Sequence, residues 1–233
     1  MNSNGTAAAL RAEGLTLTYT TPRSVTHAVR DVSLRLEDRT FAGIVGPSGS
    51  GKSSLLYLIS GLKSANSGEV YFGDFHYSAA SPRQQLDFRR RQFGFVFQSP
   101  FLISYLSVLE NVLVPIDRPG AEDKRRAYDL LCQLGIEDLA PKFPNECSGG
   151  ERVRVSMARG LVSRPRWLWV DEPTASLDLA TGSRVIDVLR TQTEHGSLVV
   201  VTHDMEIVER ADLVFRMRDG QLIETRVRET SGA

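Results

Sequence analysis

The stretch "GIVGPSGSGKSSLL", Gly43 to Leu56, decides how the chain folds. An apolar run precedes it, and a possible helix follows. Between them stand glycines, a proline and one lysine. Gly46 to Ser53 matches the pattern G-x-x-x-x-G-K-[ST] in full. Glycines in that pattern let successive backbone N–H groups turn inward and form a nest for anions. The helix beginning near Lys52 adds unsatisfied N–H donors and the positive end of its dipole. The expected phosphate cradle is Gly46, Pro47, Ser48, Gly49, Ser50, Gly51, Lys52, Ser53 and Ser54. Lys52 is expected to reach the β- and γ-phosphates, and the Ser53 hydroxyl to bind Mg²⁺.

The flanking sequence reads as an α/β fold. Residues before Gly14 read as a loose tail. "LTLTYT" (Leu15 to Thr20) and "VSLRL" (Val32 to Leu36) alternate as strands, with "TPRSVTHAV" as a connection. "FAGIV" (Phe41 to Val45), "FGFVF" (Phe93 to Phe97), "WLWV" (Trp167 to Val170) and "SLVVVTH" are apolar runs, as in strands buried on both faces. "GEVYFG" suggests an edge-like strand. The patterns predict helices over Lys52–Ser60, "SPRQQLDFRRR", "ATGSRVIDVLRTQTEHG" and "MEIVERA", and a terminal hairpin around Asp219-Gly220. From Leu102 to about Leu161 helical periods replace strands. The clearest is "AEDKRRAYDLLCQLG", with Ala127, Leu130, Leu131 and Leu134 on one face. Strands alternating with helices imply a mainly parallel sheet.

Composition narrows the class. The chain has 233 residues, 41% of them apolar, enough for a sizeable core in one compact unit or one carrying a subdomain. Lys plus Arg and Asp plus Glu both number 28, a balance that argues against a dedicated nucleic-acid binder. Cys132 and Cys147 form no C-x-x-C pair and are expected to be reduced and buried. "MNSNGTAAALRAEG" lacks the basic and apolar regions of a signal peptide, and no apolar run approaches the ~20 residues of a membrane span.

Hydrolysis requires more than a phosphate cradle. "WLWVDEPTASLD" ends an apolar strand in Asp171-Glu172. Asp171 is placed to hold a metal, directly or through water. Glu172, one residue on, is the candidate general base.

At "CSGGE" the pattern resembles the nucleotide-binding subunit of ATP-binding-cassette (ABC) transporters, over roughly Leu15 to Val227. That signature usually reads Leu-Ser-Gly-Gly-Gln or Leu-Ser-Gly-Gly-Glu. Here Cys147 replaces the leucine, while Ser148, Gly149, Gly150 and Glu151 conform. The resemblance implies further roles. Tyr19 would stack on adenine, and Gln98 would sense the metal. Ser176-Leu177-Asp178 would form the D-loop, and His203 would hold the attacking water or contact the γ-phosphate.

The resemblance also implies a fold and a partner. The fold is a P-loop NTPase with a RecA-like core, an antiparallel β-subdomain near the N-terminus and a helical subdomain at about 102–161, all within one domain spanning 1–233. The implied chemistry is Mg²⁺-dependent ATP hydrolysis. A second copy, or a related ATPase, would pair head to tail, so that Ser148 and Gly150 of one chain cap the phosphate held by Lys52 of the other. "FRRRQFGFVFQSPFLISYLSVLENVLVP" is similar to the macrolide-export and lipoprotein-releasing types. These imply a peripheral subunit on the cytoplasmic face of the membrane, joined to an integral membrane permease. "QSPFLISYLS" and Arg152-Val153 depart from their usual wording. The segment Ser99 to Val108 is the expected docking surface, with Phe101 and Tyr105 as its aromatic anchors. Rival readings are a soluble ABC ATPase, a plain P-loop kinase and a subunit that signals mechanically to an envelope partner.

Overall fold

The computed structural model describes residues 9–175 and 177–228. In chain order the first elements are β1 (Leu10–Thr21), β2 (Ser24–Leu36), β3 (Phe41–Val45), α1 (Lys52–Ile59), β4 (Ser67–Phe72), β5 (Phe75–His76), α2 (Pro82–Gln92) and β6 (Phe93–Val96). Then come α3 (Val108–Leu113), α4 (Ala121–Gln133), α5 (Gly149–Leu161), β7 (Trp167–Asp171) and α6 (Leu179–Arg190). The last are β8 (Ser197–Val201), α7 (Met205–Arg210), β9 (Leu213–Arg218) and β10 (Gln221–Val227). They form two compact units, one of residues up to 89 together with those from 201 onward, the other of 90–200.

The first unit holds an antiparallel sheet in the order β2-β1-β4-β5. Its longest strands start earlier than the sequence pattern suggests. β1 begins at Leu10, because a register shift near Gly14 (φ 59°) changes the alternation. Leu10 and Ala12 face the core before the shift, and Leu15 and Leu17 after it. An extra residue reverses parity, so a simple alternation test sees only the second half. The segment read as a connection is also strand. Thr21 pairs with Ser24, leaving only Pro22-Arg23 to turn, and Tyr19 pairs with Thr26. Polar β-formers fill that exposed ladder and hide it from an apolar pattern. β4 is internal to this sheet, and the two-residue β5 forms its edge.

The same unit carries β10-β9-β3 as a run of neighbouring strands. β3 is wholly buried and runs parallel to β9. β9 and β10 form the expected hairpin, turning where Asp219 and Gly220 both have positive φ (50° and 80°). That mirror-image turn matches the twist of the strands it joins.

In the second unit the strands follow the order β8-β7-β6, with β6 parallel to β7. From Leu102 to Leu161 its described residues form α3, α4, α5 and two short 3₁₀ turns, with no strand. Ala127, Leu130, Leu131 and Leu134 are buried, as the period predicts. Each such leucine contributes about 1.5–3 kcal/mol through burial. Two arginines lock the helices reciprocally. Arg126 of α4 donates to Leu161 O and Val162 O at the end of α5, both at 2.9 Å. Arg154 of α5 donates to Leu134 O (3.0 Å) and Gly135 O (3.3 Å) at the end of α4. Cations at helix C-termini satisfy orphan carbonyls and oppose the dipole. Cys147 is buried, but Cys132 is exposed on the outer face of α4, against the sequence expectation. It lies one position beyond Leu131, off the buried stripe.

Candidate functional site

The phosphate loop leaves β3 and enters α1 within the first unit. Its glycines are fixed by crowding. A Cβ at Gly46 (φ 153°) would collide with Met217 O, and one at Gly51 (φ 97°) with Ala28 O. Neither backbone can hold its place beside β2 and β9 with any larger residue. The β9–β10 turn braces the loop, since Gly220 N–H donates to Ser50 O (3.1 Å) and Ser50 N–H to Pro47 O (3.2 Å). Ser50 is 3% exposed, and its hydroxyl has no hydrogen-bond partner among the described residues. Its contribution to the loop is therefore through backbone. Pro47, Ser48 and Gly49 are exposed, and Ser53 and Ser54 are half-buried.

Lys52 is only 8% exposed, and its Nζ donates to Gly46 O (2.9 Å) and Pro47 O (3.0 Å). The ammonium is thus held over the loop by the loop's own carbonyls. The N-terminus of α1 has no side-chain cap and no acidic residue in its first turn. By contrast, side chains of Ser107, Ser148, Asp178 and Asp204 cap α3, α5, α6 and α7. An uncapped helix start beside a buried lysine fits a polyanion such as a nucleotide triphosphate.

Two further predicted residues lie in the same unit. The Tyr19 hydroxyl lies 3.3 Å from Ser54 Oγ, tying the half-buried ring to α1. His203 follows Thr202, whose N–H donates to Ile44 O (3.2 Å) two residues before Gly46. The histidine itself is exposed.

The second unit carries the remaining predicted residues. Val96 of β6 pairs with Val170 of β7 in parallel register. Gln98 and Glu172 each follow two residues after that last ladder pair, just past the ends of neighbouring strands. Gln98 is exposed, Asp171 is 2% exposed at the end of β7, and Glu172 is half-buried. Glu172 has φ 50°, a left-handed conformation that few non-glycine residues adopt. Strain of about 1–3 kcal/mol persists where the surroundings over-determine it, often at reactive sites.

The signature begins α5. Ser148 and Glu151 form a capping box, and Gly149 is exposed with open space where a Cβ would be. Gly150 is half-buried. Ser148's backbone N–H and then its hydroxyl hold the Glu151 carboxyl below the usual carboxylate range. Cys147 is 6% exposed, with Sγ donating to Phe143 O at 3.5 Å, and burial pushes its thiol up. The cysteine thus fills the apolar position as a small core residue. Asp178 caps α6 by accepting from Thr181 N–H (3.0 Å) and Thr181 Oγ1 (2.7 Å). These bonds, the hydroxyl's first, lower its pKa. Ser176 lies outside the described residues.

The predicted docking segment exposes Phe101 (69%) and Tyr105 (79%). Sequence reasoning missed what holds it. Arg159 Nη1 donates to Phe101 O (2.9 Å), and Arg159 also bonds Pro100 O. Fully buried Asn111 accepts from Ile103 N–H (2.8 Å) and donates Nδ2 to the carbonyls of Ile103, Leu106 and Ser107, each at 3.0 Å. The available signal was Asn111 between apolar neighbours in "VLENVL", at a position its period assigns to the buried face.

Comparison with known proteins shows the family. A family model described as "ABC transporter" matches residues 29–175. The lipoprotein-releasing system ATP-binding protein LolD of Aquifex aeolicus is 39% identical over 199 residues, covering 84% of this chain and 89% of that one. The macrolide export ATP-binding/permease protein MacB of Pasteurella multocida is 38% identical over 202 residues, covering 85% of this chain and 31% of that one. A bacterial ABC transporter cassette solved as a dimer superposes with a TM-score of 0.88 at 32% identity, covering 94% of this chain and 98% of that one. A dimeric post-hydrolysis state of the cassette, bound to ADP and Pi, gives a TM-score of 0.87 at 32% identity, with the same coverage.

Proposed function

The chain belongs to the ABC transporter family as an ATP-binding, ATP-hydrolysing subunit, and from that premise we propose that it powers export or extraction through a separate integral membrane permease. The observation that carries this reading is the joint similarity to LolD and MacB over 84–85% of the chain. MacB is named as ATP-binding protein and permease together, and this chain matches 31% of it. LolD is named for ATP binding alone and is matched over 89% of its length. Among the described residues no helix is long and apolar enough to cross a membrane. The subunit would sit peripherally on the cytoplasmic face, with Phe101 and Tyr105 presented to the permease.

In the proposed cycle Tyr19 stacks on adenine, the loop from Gly46 to Ser54 cradles the phosphates, and Lys52 shifts from its own carbonyls to phosphate oxygens. Glu172 takes a proton from the attacking water, which His203 orients. Two copies pair head to tail, and Ser148, Gly149 and Gly150 of one donate to the γ-phosphate held by the other, with Asp178 beside them. Among the described residues no group of three His, Cys, Asp or Glu side chains converges on a metal site. That fits Mg²⁺, which takes few protein ligands and draws the rest from phosphate and water. Ser53, Asp171 and Gln98 are its proposed ligands, direct or through water. When bound, Mg²⁺ neutralises charge on the β- and γ-phosphates.

The test is reconstitution. The chain is co-purified with the membrane protein it binds, and the pair is placed in vesicles loaded with lipid-anchored or amphipathic cargo. ATP-dependent cargo release, lost without Mg²⁺, supports the reading. A stable complex that hydrolyses ATP yet moves no cargo points to signalling instead.

A further inference from the structure

The loop after α1 places a cation on the proposed base platform. Lys63 Nζ lies 4.5 Å from the centroid of the Tyr19 ring. The lysine's place is built into the fold. Its N–H donates to Tyr57 O (3.0 Å), and Asn66, three residues on, is stitched to β1 twice. Asn66 N–H donates to Thr16 O (2.8 Å), and its Oδ1 accepts from Thr18 N–H at 2.7 Å. The ring itself is tethered through its hydroxyl to Ser54 (3.3 Å), two residues past Lys52. The aromatic plane is thus fixed at its edge by the phosphate-binding helix and covered on one face by an ammonium group.

A tyrosine ring has two faces that can stack. An ammonium over one face is attracted by the ring's negative quadrupole. It also draws electron density toward itself, which lessens the repulsion the opposite face shows to another π-system. We propose that Lys63 is a positioning residue for nucleotide binding, backing Tyr19 so that adenine stacks on the ring's other face in a lysine–tyrosine–adenine sandwich. The inference rests on the reading that Tyr19 is the adenine platform. Its effect belongs to the base, because Lys63 acts through the ring and not through the phosphates.

The experiment compares ATP and inorganic tripolyphosphate binding by calorimetry. The proteins are wild type, Lys63→Met, Lys63→Arg, Tyr19→Ala and the double variant Tyr19→Ala/Lys63→Met. Methionine keeps the apolar stem and removes the charge; arginine keeps the charge. Lys63 is exposed, and a cation–π contact at an exposed site predicts roughly a two- to five-fold loss of ATP affinity in Lys63→Met. Lys63→Arg should recover it, and tripolyphosphate affinity should not change. In the Tyr19→Ala background the lysine substitution should have no further effect. Wild-type ATP affinity in Lys63→Met, alongside a weakened Tyr19→Ala, overturns the inference and leaves the stack standing. Wild-type affinity in Tyr19→Ala overturns the stack and the inference together. Equal losses for ATP and tripolyphosphate would assign Lys63 to the phosphates. Tighter ATP binding in Lys63→Met would place the lysine on the face the base needs. Either result overturns the sandwich.

Discussion

Ser148 and Glu151 hold each other across the first turn of α5: Glu151 N–H donates to Ser148 Oγ at 3.3 Å, and Ser148 N–H donates to Glu151 Oε2 at 2.7 Å. The signature serine is therefore oriented before any nucleotide arrives. Glu151→Ala removes one half of the box and should cost about 0.5–1 kcal/mol, read by denaturant melting. Glu151→Gln keeps an acceptor for the Ser148 N–H but loses the charge, so it should be slightly less stable than wild type at neutral pH. The carboxyl is held below its ordinary range, so its contribution is present above the unfolded pKa and lost as pH falls through the folded pKa. The melting difference between wild type and Glu151→Gln should shrink on acidification through the carboxylate range. Solvent exposure keeps it modest. A difference that does not change with pH would contradict the ionised box.

The exposed aromatic pair makes the docking proposal specific. Phe101→Ala and Tyr105→Ala remove side chains that are 69% and 79% exposed, so melting should move by no more than about 0.5 kcal/mol. Basal ATPase should stay near wild type, while stimulation by the permease and co-purification with it should fall at least ten-fold if either ring is an anchor. Unchanged permease binding in both variants would place the docking surface elsewhere.

Asn111 should behave in the opposite way. Its side chain satisfies four backbone groups of the 103–107 loop from a fully buried position. Asn111→Ala strands several of them and should cost roughly 1–3 kcal/mol in stability. It should also weaken permease binding without touching either aromatic ring. A variant with wild-type stability would show that water or a neighbour replaces the amide.

Most of the fold was legible because the strongest signals coincided. The phosphate motif sits between a fully apolar strand and a short helix, and α4 with its C-cap Leu134 buries the four residues the period names. What escaped the sequence has a physical cause in each case. β1 and β2 carry register shifts at Gly14 and near Asp31 (φ 52°), which reverse parity and conceal half of each strand. The ladder from Thr18 to Thr26 is polar and exposed, so no apolar alternation marks it. The proposed site residues rest on their motifs, whereas the contacts that support them were not readable. Met217 and Gly220 brace the phosphate loop from about 170 residues away, and Arg159 reaches back 58 residues to Phe101. Such contacts are set by topology, which local pattern does not encode.

Tyr19 is more than a flat surface, since its hydroxyl lies near Ser54. Tyr19→Phe removes that long contact and should weaken ATP by no more than about five-fold, within the net worth of one neutral hydrogen bond. Tyr19→Ala also loses the stack and should weaken ATP about 5- to 100-fold. Fluorescence titration orders the three proteins. Equal losses in the two variants would shift the role from ring to hydroxyl.

Glu172 is the proposed general base of an ATPase that closes as a dimer. Glu172→Gln nearly preserves shape while removing the proton acceptor. The most direct measurement is phosphate release by this variant beside its elution on gel filtration with and without ATP. Release should collapse by two orders of magnitude or more, while ATP shifts the variant from monomer to a stable dimer. Near-wild-type phosphate release, or a variant that binds ATP and stays monomeric, would contradict this assignment.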